Sequence, residues 1–333
     1  MRDSASQRRA DDCASPWVMM RRLVLGADGG GSKTAVGVAS VGEDGELEML
    51  GEGFGGPSNV RAVGRAHAEI NLNVAVDAAL RDAGIVDEAI DYAVLGLAGS
   101  SLPDVQAFIE EWAERRGLAT TVDIVHDADP VLAVGIPEGK GIALIVGTGS
   151  VAIGVDDGGG RSVTGGWGHW FGDTGSGYDL GRRALAAVAD AVDGIGPGTV
   201  LVERVLRRLG TDNPREMLLR LDQAVDVRRE MAALAPVLLH AAADGDEVAH
   251  SIVDAAAEST AKLVQANATK LGFAPDVPLA AAGGIVCKSA LYRQLLLGKL
   301  DALGITPRAF TVVSDPVEGC VMMARDRLLA AAS

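Results

Sequence analysis

The sequence contains few aromatic residues and few cysteines. Aromatic side chains make up 4% of the 333 residues, whereas hydrophobic residues make up 48%, so we expect a core of Ala, Val, Leu and Ile. The three cysteines, Cys13, Cys287 and Cys320, show no CxxC or paired spacing, which argues against a disulfide framework and a zinc site. No apolar run approaches the ~18 residues that a membrane helix needs.

Positive charge is also scarce. The chain has 30 Lys and Arg against 45 Asp and Glu, for a formal net charge of -15. Nucleic acids and anionic membranes are bound through basic surfaces, so we expect neither as a partner, and we expect a cytoplasmic protein. Residues 1–20 are polar and lack the apolar segment of a secretory signal. We expect them to form a disordered tail, with the fold beginning at Arg21.

Glycine, by contrast, is concentrated in one early turn. The stretch LVLGADGGGSKTAVGVAS (residues 23–40) places the turn DGGGSKT between two apolar runs. A Walker A loop and a dinucleotide-binding loop both lead into a helix, whereas the run after Lys33 alternates like a strand. The pattern predicts a strand, a glycine turn and a second strand, with backbone N–H groups that form an anion-binding concavity. A plain hairpin with a flexible tip is the alternative.

The same order of predicted elements occurs twice. Residues 21–137 read as βββαβαβα, and residues 138–315 repeat this order with an all-helical insertion over about 178–271. Within the insertion we expect one long helical stretch from about Tyr178 to Leu209. A last helix over 316–332 is expected to pack back on the first domain.

Short motifs support the duplication. VGTGSVAIGV echoes GADGGGSKTAVGV, and both VHDADPVLAVG and VVSDPVEGCVMMA place Asp-Pro-Val after a strand. Duplicated motifs at matching points of a duplicated order indicate two α/β halves with central sheets. A cleft between the halves would then have one phosphate-binding glycine hairpin on each wall.

Two aspartates at strand ends are candidates for chemistry. Asp28 ends the first strand and is a candidate magnesium contact, since Mg²⁺ that bridges phosphates keeps most of its waters and needs few carboxylates. Asp127 lies at the carboxyl end of a strand, where α/β folds place ligand chemistry, and is the candidate general base. Asp129 precedes Pro130 and is expected to be a helix N-cap. Lys33 either contacts phosphate or is a solvated turn residue.

Taken in order, these motifs resemble the actin-like ATPase superfamily, and within it the N-acetylglucosamine kinase branch of the BadF/BadG/BcrA/BcrD ATPase family. The resemblance covers residues 21–332 and implies a duplicated RNase H-like fold of two domains with central mixed sheets. It implies that ATP is bound at two phosphate motifs and an adenosine motif. The residues concerned are Asp28 (metal), Gly30, Gly31, Ser32, Lys33 and Thr34; Gly147, Thr148, Gly149 and Ser150; and Gly283 and Gly284.

The resemblance also implies a sugar site. Asn59, a helix N-cap from its position, matches the residue that holds sugar hydroxyls, and Gly99 lies in the matching segment LGLAGS. The block GGWGHWFGDTGSGYDLG supplies Gly166, Trp167 and Asp173. Asp173 binds hydroxyls or caps a helix, and Trp167 stacks on a sugar or lies in the core.

The implied activity is that of an ATP-dependent kinase with Mg²⁺, acting as a homodimer on an amino sugar, with N-acetylglucosamine at its 6-hydroxyl as the first candidate. Val60, Ala98 and Thr174 depart from the branch pattern, and glucosamine and N-acetylmuramic acid stay open as acceptors. An iron–sulfur ATPase that activates 2-hydroxyacyl-CoA dehydratases is less favoured, because neither Cys287 nor Cys320 is placed to hold a cluster. A sugar-sensing regulator would need a basic helix-turn-helix, which the sequence lacks.

Overall fold

Two five-stranded sheets form the centres of the two halves. The computed structural model describes residues 21–273 and 275–332. The strands of the first sheet are β1 (Arg22–Gly29), β2 (Thr34–Val41), β3 (Leu47–Gly55), β4 (Tyr92–Leu97) and β5 (Thr121–His126). Those of the second are β6 (Gly141–Val146), β7 (Ser150–Val155), β8 (Arg161–Gly165), β9 (Asp276–Ala282) and β10 (Thr306–Val313). The spatial orders are β3-β2-β1-β4-β5 and β10-β9-β6-β7-β8.

Both sheets are mixed in the same way. Strand β1 pairs antiparallel with β2 and parallel with β4, and β6 pairs antiparallel with β7 and parallel with β9. In each half, the first two strands form a hairpin whose connection is one of the glycine turns. The predicted α/β class, the duplicated order and the strand–turn–strand form of DGGGSKT are confirmed.

Helices cover both faces of the first sheet. Helix α1 starts at the predicted residue because the Asn59 side chain accepts a hydrogen bond from the Arg61 amide. Its buried Leu72 and the fully buried Trp112 of α2 pack on Leu25 of β1. The helices are α1 (Val60–Asp82), α2 (Pro103–Arg116), α3 (Asp129–Gly135), α4 (Gly177–Asp193), α5 (Leu201–Leu209), α6 (Met217–Asp222), α7 (Val227–Ala232), α8 (Ala235–Ala243), α9 (Glu247–Lys270), α10 (Gly284–Lys288), α11 (Ala290–Ala302) and α12 (Pro316–Ala331).

The last helix of each half packs on the sheet of the other half. Helix α3 buries Val131 in the cluster that contains Ala280 of β9, whereas α12 buries Val321 in the cluster that contains Val24 of β1. The two helices cross closely, and a Cβ at Gly319 of α12 would lie 2.7 Å from the carbonyl carbon of Pro130. Each half thus contributes its last helix to the other half, and this exchange of helices brings the carboxyl ends of β5 and β10, which precede α3 and α12, towards each other. We call the space between these strand ends and the two glycine hairpins the cleft.

The helical insertion is a bundle with one unexpected break. The predicted continuous helical stretch from Tyr178 to Leu209 is wrong, because α4 ends at Asp193 and α5 begins at Leu201. Gly194 ends α4 in the left-handed conformation with a φ of 73°, and the following Pro197 cannot continue a helix.

None of the helices in the described part of the chain combines the length and apolarity that crossing a membrane requires.

Candidate active site

The first glycine hairpin presents unpaired amide groups at its tip. The Gly30 N–H donates to the Lys33 carbonyl over 3.0 Å, which closes the turn. Within the described ranges, the amides of Gly31, Ser32 and Lys33 have no acceptor. A Cβ at Gly30 would meet no atom within 4 Å, so this side of the tip faces open space. Three free donors and an ammonium group suit an anion such as phosphate.

The second glycine hairpin repeats the arrangement. The Gly147 N–H donates to the Gly149 carbonyl over 2.9 Å, and the amides of Thr148 and Gly149 have no acceptor among residues 21–273 and 275–332. Helix α4 supports this tip from behind, since the Gly177 amide donates to the Gly147 carbonyl over 2.8 Å. The two tips touch, with the Ser32 and Thr148 hydroxyl oxygens 2.9 Å apart. The structure therefore brings both predicted phosphate motifs together.

Two of the predicted phosphate contacts are instead part of the framework. Thr34 is fully buried, and its hydroxyl donates to the Gly56 carbonyl over 2.7 Å. Ser150 is also buried, and its hydroxyl donates to the Thr174 carbonyl over 2.9 Å. Each residue begins the second strand of its hairpin, where its side chain points into the fold and not towards the tip. We correct their predicted role: their side chains hold the hairpins in place.

Asp28 is half-buried at the bottom of the cleft, near other carboxylates. Burial and the charge of Asp127 raise the pKa of its carboxyl; Lys33 opposes the shift and Asp315 adds to it, and the result is about 7. A divalent cation would relieve this crowding of negative charge. Mg²⁺ on phosphates uses one or two carboxylates and keeps waters, so these residues fit it. In the described ranges, no three Asp, Glu, His or Cys side chains could hold a metal unaided.

Asp315 was not among the predicted site residues. It begins the Asp-Pro-Val segment that follows β10, and so corresponds to Asp129, which begins the Asp-Pro-Val segment after β5. The repeated segment was the available signal. The position of Asp315 in the site depends on the exchange of α3 and α12, which brings the ends of β5 and β10 to the bottom of the cleft.

The predicted base, Asp127, is paired with its neighbour His126. His126 Nδ1 lies 2.6 Å from Asp127 Oδ1, and this buried oxygen has no other partner, and none of hydrogen-bond geometry, in the described chain. Two bare acceptors at this distance would repel each other, so the contact requires a proton on Nδ1, in place of the 3.3 Å hydrogen bond that an unprotonated Nδ1 accepts from the Ala128 amide. Burial lowers the pKa of His126, but the hydrogen bond to Asp127 and the charges of Asp127 and Asp129 outweigh burial and raise it. Asp129 itself pairs with Arg161 and is the first residue of α3, while Ala128 is the N-cap.

The predicted sugar contacts divide between the two halves. In the first, Asn59 Oδ1 accepts from the Arg61 amide over 3.1 Å, and Gly99 lies beside it, since a Cβ there would be 3.7 Å from Asn59 Oδ1. In the second, Gly166 has a left-handed φ of 72° and leads into Trp167. The Trp167 side chain is 69% exposed, which excludes the core alternative and leaves the indole accessible to a ligand.

Asp173 is buried against the second hairpin. Its Oδ1 accepts from the Ser150 amide over 3.2 Å, and its Oδ2 accepts from Arg228 Nη2 over 2.8 Å. Its φ of 53° is positive, alone among the non-glycine residues of the described ranges, and such strain is often found at functional sites. A Cβ at Gly149 would lie 2.7 Å from Asp173 Oδ1. No sequence motif pointed to Arg228, because its proximity to the hairpin is set by the packing of α7.

The predicted adenosine turn lies beside the second hairpin. Gly283 has a φ of 99°, and a Cβ there would lie 2.9 Å from the Gly147 amide nitrogen. Both the conformation and the close approach require glycine. A Cβ at Gly284, by contrast, would meet no atom within 4 Å. The open space at Gly284 is compatible with a nucleoside at this turn.

Two surface cavities lie away from these residues. One, of about 330 Å³, is lined by residues of α2 and around β5, including Glu110 and Val122. The other, of about 250 Å³, lies among α5, α6 and α7 and includes Arg220 and Glu230. Neither is lined by a glycine hairpin or by a carboxylate of the cleft. The groups suited to phosphate chemistry are therefore concentrated in the cleft.

Comparison with known proteins gives consistent matches along most of the chain. The model of the BadF/BadG/BcrA/BcrD ATPase family matches residues 25–300. An N-acetylmuramic acid/N-acetylglucosamine kinase of Clostridium acetobutylicum is 31% identical over 266 residues, which are 80% of this chain and 86% of that protein. An N-acetyl-D-glucosamine kinase of Dictyostelium discoideum is 27% identical over 319 residues, 92% of this chain and 98% of that protein.

Solved structures show the same fold. A Chromobacterium violaceum protein, provisionally described as an N-acetylglucosamine kinase, aligns with a TM-score of 0.71 at 25% identity, over 91% of this chain and 99% of that one. A ROK family glucokinase of Streptomyces griseus, solved with glucose and AMPPNP, aligns with a TM-score of 0.55 at 19% identity, over 92% of this chain and 98% of that one. The sugar-kinase fold expected from the sequence is confirmed.

Proposed function

The chain belongs to the BadF/BadG/BcrA/BcrD ATPase family, and on this premise we propose that it is an ATP-dependent kinase of an amino sugar. The first candidate acceptor is N-acetylglucosamine, which the names of both relatives contain. N-acetylmuramic acid is the second candidate, because the Clostridium protein is named for both sugars. Glucosamine is a further alternative, since Ala98 departs from the branch pattern near the N-substituent.

One observation supports the proposal above all others. Two glycine hairpins, one from each half, meet tip to tip at Ser32 and Thr148, and their free amides adjoin a cleft that also contains Asp28 and Asp127. Phosphoryl transfer needs mainly positioning of the phosphates and stabilisation of their charge, together with an acceptor for the proton of the attacking hydroxyl. The hairpins supply the first two requirements, and a carboxylate supplies the third.

The residues then have distinct tasks. The hairpin amides and Lys33 would hold the phosphate chain of ATP, and Asp28 would hold Mg²⁺, which would contribute charge neutralisation. Asp127 accepts the proton of the sugar's 6-hydroxyl as the oxygen attacks the terminal phosphorus, whose bond to the bridging oxygen breaks so that ADP leaves. Such general-base help is typically worth about 10²–10⁴ in rate. A protonated His126 orients Asp127 through its contact with Oδ1, which leaves Oδ2 as the oxygen proposed to accept the proton.

The sugar itself is proposed to lie between Asn59 with Gly99 on one side and the loop of Gly166 and Trp167 on the other. The indole of Trp167 offers an apolar face for the ring, and the amide of Asn59 offers a donor for a hydroxyl. Asp173 holds this side of the cleft in place by accepting a hydrogen bond from the Ser150 amide of the second hairpin. We further propose a cytoplasmic homodimer, from the family resemblance and the acidic composition.

The dehydratase-activator alternative requires cysteine thiolates to hold a cluster. Both described thiols have partners inside the fold: Cys287 donates to the Val313 carbonyl over 3.5 Å, and the buried Cys320 donates to the Ala27 carbonyl over 3.2 Å. The kinase proposal makes no use of either thiol and is therefore favoured.

A coupled assay of ADP release tests the proposal. The protein is incubated with ATP and Mg²⁺ and with N-acetylglucosamine, N-acetylmuramic acid, glucosamine or glucose, and a sugar-free reaction is the control. We expect sugar-dependent ADP release, with a higher kcat/KM for N-acetylglucosamine than for glucose. Buried groups that bind a specific substituent disfavour analogues that lack it. ADP release that no amino sugar increases would refute the proposal.

A further inference from the structure

The guanidinium of Arg228 lies against the second glycine hairpin. Arg228 is in the first turn of α7, and its Nη2 donates to Asp173 Oδ2 over 2.8 Å. A Cβ at Gly149 would lie 3.0 Å from the same Nη2, so the guanidinium adjoins the hairpin tip. Helix α7 is fixed there by α4, because a Cβ at Gly177 would lie 3.5 Å from the Cβ of Ala232. An arginine of the helical insertion therefore reaches the cleft.

One donor of this arginine lacks an acceptor. The Nε atom of Arg228 is buried and has no hydrogen-bond partner in the part of the chain that the structure describes. A buried, charged N–H without a partner is unfavourable, and the side chain as a whole keeps 22% exposure, so a ligand can reach it. The amides of Thr148 and Gly149, at the same hairpin tip, also lack acceptors. An oxyanion with several oxygen atoms would satisfy the two amides and pair with the exposed part of the guanidinium.

The distribution of charge points to the same ligand. The first hairpin carries a cation in its own sequence, Lys33, whereas the second, GTGS, has none. The bottom of the cleft is acidic, with Asp28 and Asp127, so a polyanion there needs cations on the walls. The guanidinium group binds phosphate through two parallel N–H donors more readily than an ammonium does.

We propose that Arg228 is a nucleotide-binding residue, which donates to a phosphate oxygen of ATP at the second hairpin. This inference rests on the proposed kinase function and adds a contact that no sequence motif contains. Arg228 completes a pair in which each glycine hairpin is accompanied by one cation, Lys33 from the turn itself and Arg228 from the insertion.

Two other roles are distinguishable from this one. An arginine could bind the carboxylate of an acidic sugar such as N-acetylmuramic acid, which would affect that sugar alone. It could also act only through Asp173, by holding the loop that carries Trp167, which would affect all sugars and leave the nucleotide unaffected.

Titration calorimetry on the full chain separates these roles. Arg228→Met removes the charge, Arg228→Gln keeps a neutral donor for Asp173, and Arg229→Met removes an exposed charge from the same helix as a matched control. The ligands are MgATP, MgADP, adenosine, N-acetylglucosamine and N-acetylmuramic acid. We expect Arg228→Met to weaken MgATP binding on the order of 10- to 100-fold, with adenosine affinity unchanged because it has no phosphate. Arg229→Met should bind MgATP like the wild type.

The outcomes are distinct. Unchanged MgATP affinity in both Arg228 variants would overturn the inference, whether or not sugar binding changes. Should Arg228→Met fail to fold, Arg228→Gln gives the same test, because weaker MgATP binding with intact sugar binding supports the phosphate contact. If the wild-type protein does not bind MgATP, the proposed function itself is wrong, and this is seen before any variant is measured.

Discussion

Replacing Asp28 with asparagine should stabilise the metal-free protein at alkaline pH while it abolishes phosphoryl transfer. The carboxyl is half-buried at the bottom of the cleft, and its pKa is raised to about 7 by burial, Asp127 and Asp315, against the opposing effect of Lys33. Without a cation, an ionised Asp28 is therefore unfavourable in the fold. Asparagine has nearly the same shape and carries no charge, so it removes this repulsion together with the metal contact.

The two pKa values of Asp28 give the sign and size of the effect. In the unfolded chain the value is 3.8, and in the fold it is about 7, so the folded state binds the proton more tightly. The contribution of Asp28 to stability is largest below pH 3.8 and is lost as the pH rises towards and through the folded value. Between about pH 5 and 8, the wild type should lose about 2 to 3 kcal/mol of unfolding free energy through this group.

Urea denaturation in the presence of EDTA measures this loss. Wild type and Asp28→Asn are unfolded at pH 5 and at pH 8, and the stability of the variant relative to the wild type is compared between the two pH values. The raised pKa of His126 also makes stability fall with rising pH. Both proteins contain His126, so its contribution largely cancels. We expect the variant's relative stability to rise by about 2 to 3 kcal/mol from pH 5 to pH 8.

A constant difference between the two proteins at both pH values would refute this reasoning. It would mean that Asp28 is ionised in the fold without penalty, and that the carboxylates of the cleft do not repel one another. Addition of MgATP provides a second check, because it should stabilise the wild type by mass action and have little effect on Asp28→Asn.

Three further substitutions test the cleft. Asp127→Asn should bind MgATP normally yet lose at least ~10²-fold in kcat, and activity within a few fold of the wild type would place the base elsewhere. His126→Ala should lower kcat and alter its pH profile, whereas His126→Asn, which keeps a donor near Oδ1 of Asp127, should restore much of the activity; equal activities would exclude a positioning role. Gly149→Ala should lower MgATP affinity in calorimetry and reduce the free energy of unfolding by about 1–3 kcal/mol. The reason is that its Cβ would lie 2.7 Å from Asp173 Oδ1 and 3.0 Å from Arg228 Nη2. MgATP affinity and stability equal to those of the wild type would contradict that packing.

The framework of the protein was predictable because its signals are local. The alternation of TAVGVAS indicates a strand, the cap at Asn59 marks the start of α1, and the repeated glycine turns and Asp-Pro-Val segments identify a duplicated unit. The break between α4 and α5 also had a local signal, the Gly-Pro-Gly segment at 196–198. The prediction of one helical stretch gave too much weight to the apolar spacing on either side of it.

The parts of the site that sequence could not supply depend on distant packing. Whether Thr34 and Ser150 face the cleft or the core is decided by the neighbours of their strands, here the carbonyls of Gly56 and Thr174. Arg228 is 55 residues from Asp173 along the chain, and only the folding of the helical insertion brings α7 to the hairpin. No residue pattern around Arg228 distinguishes it from the exposed Arg229 next to it.

Phosphorus NMR of the reaction product tests the central claim most directly. Wild-type protein, ATP, Mg²⁺ and N-acetylglucosamine should yield ADP and a new phosphomonoester signal coupled to the two protons on carbon 6 of the sugar. The same mixture with Asp127→Asn should show only ATP over the same time. A phosphate on the anomeric oxygen would contradict the proposed 6-hydroxyl chemistry, and ATP left intact beside every amino sugar would contradict the kinase itself.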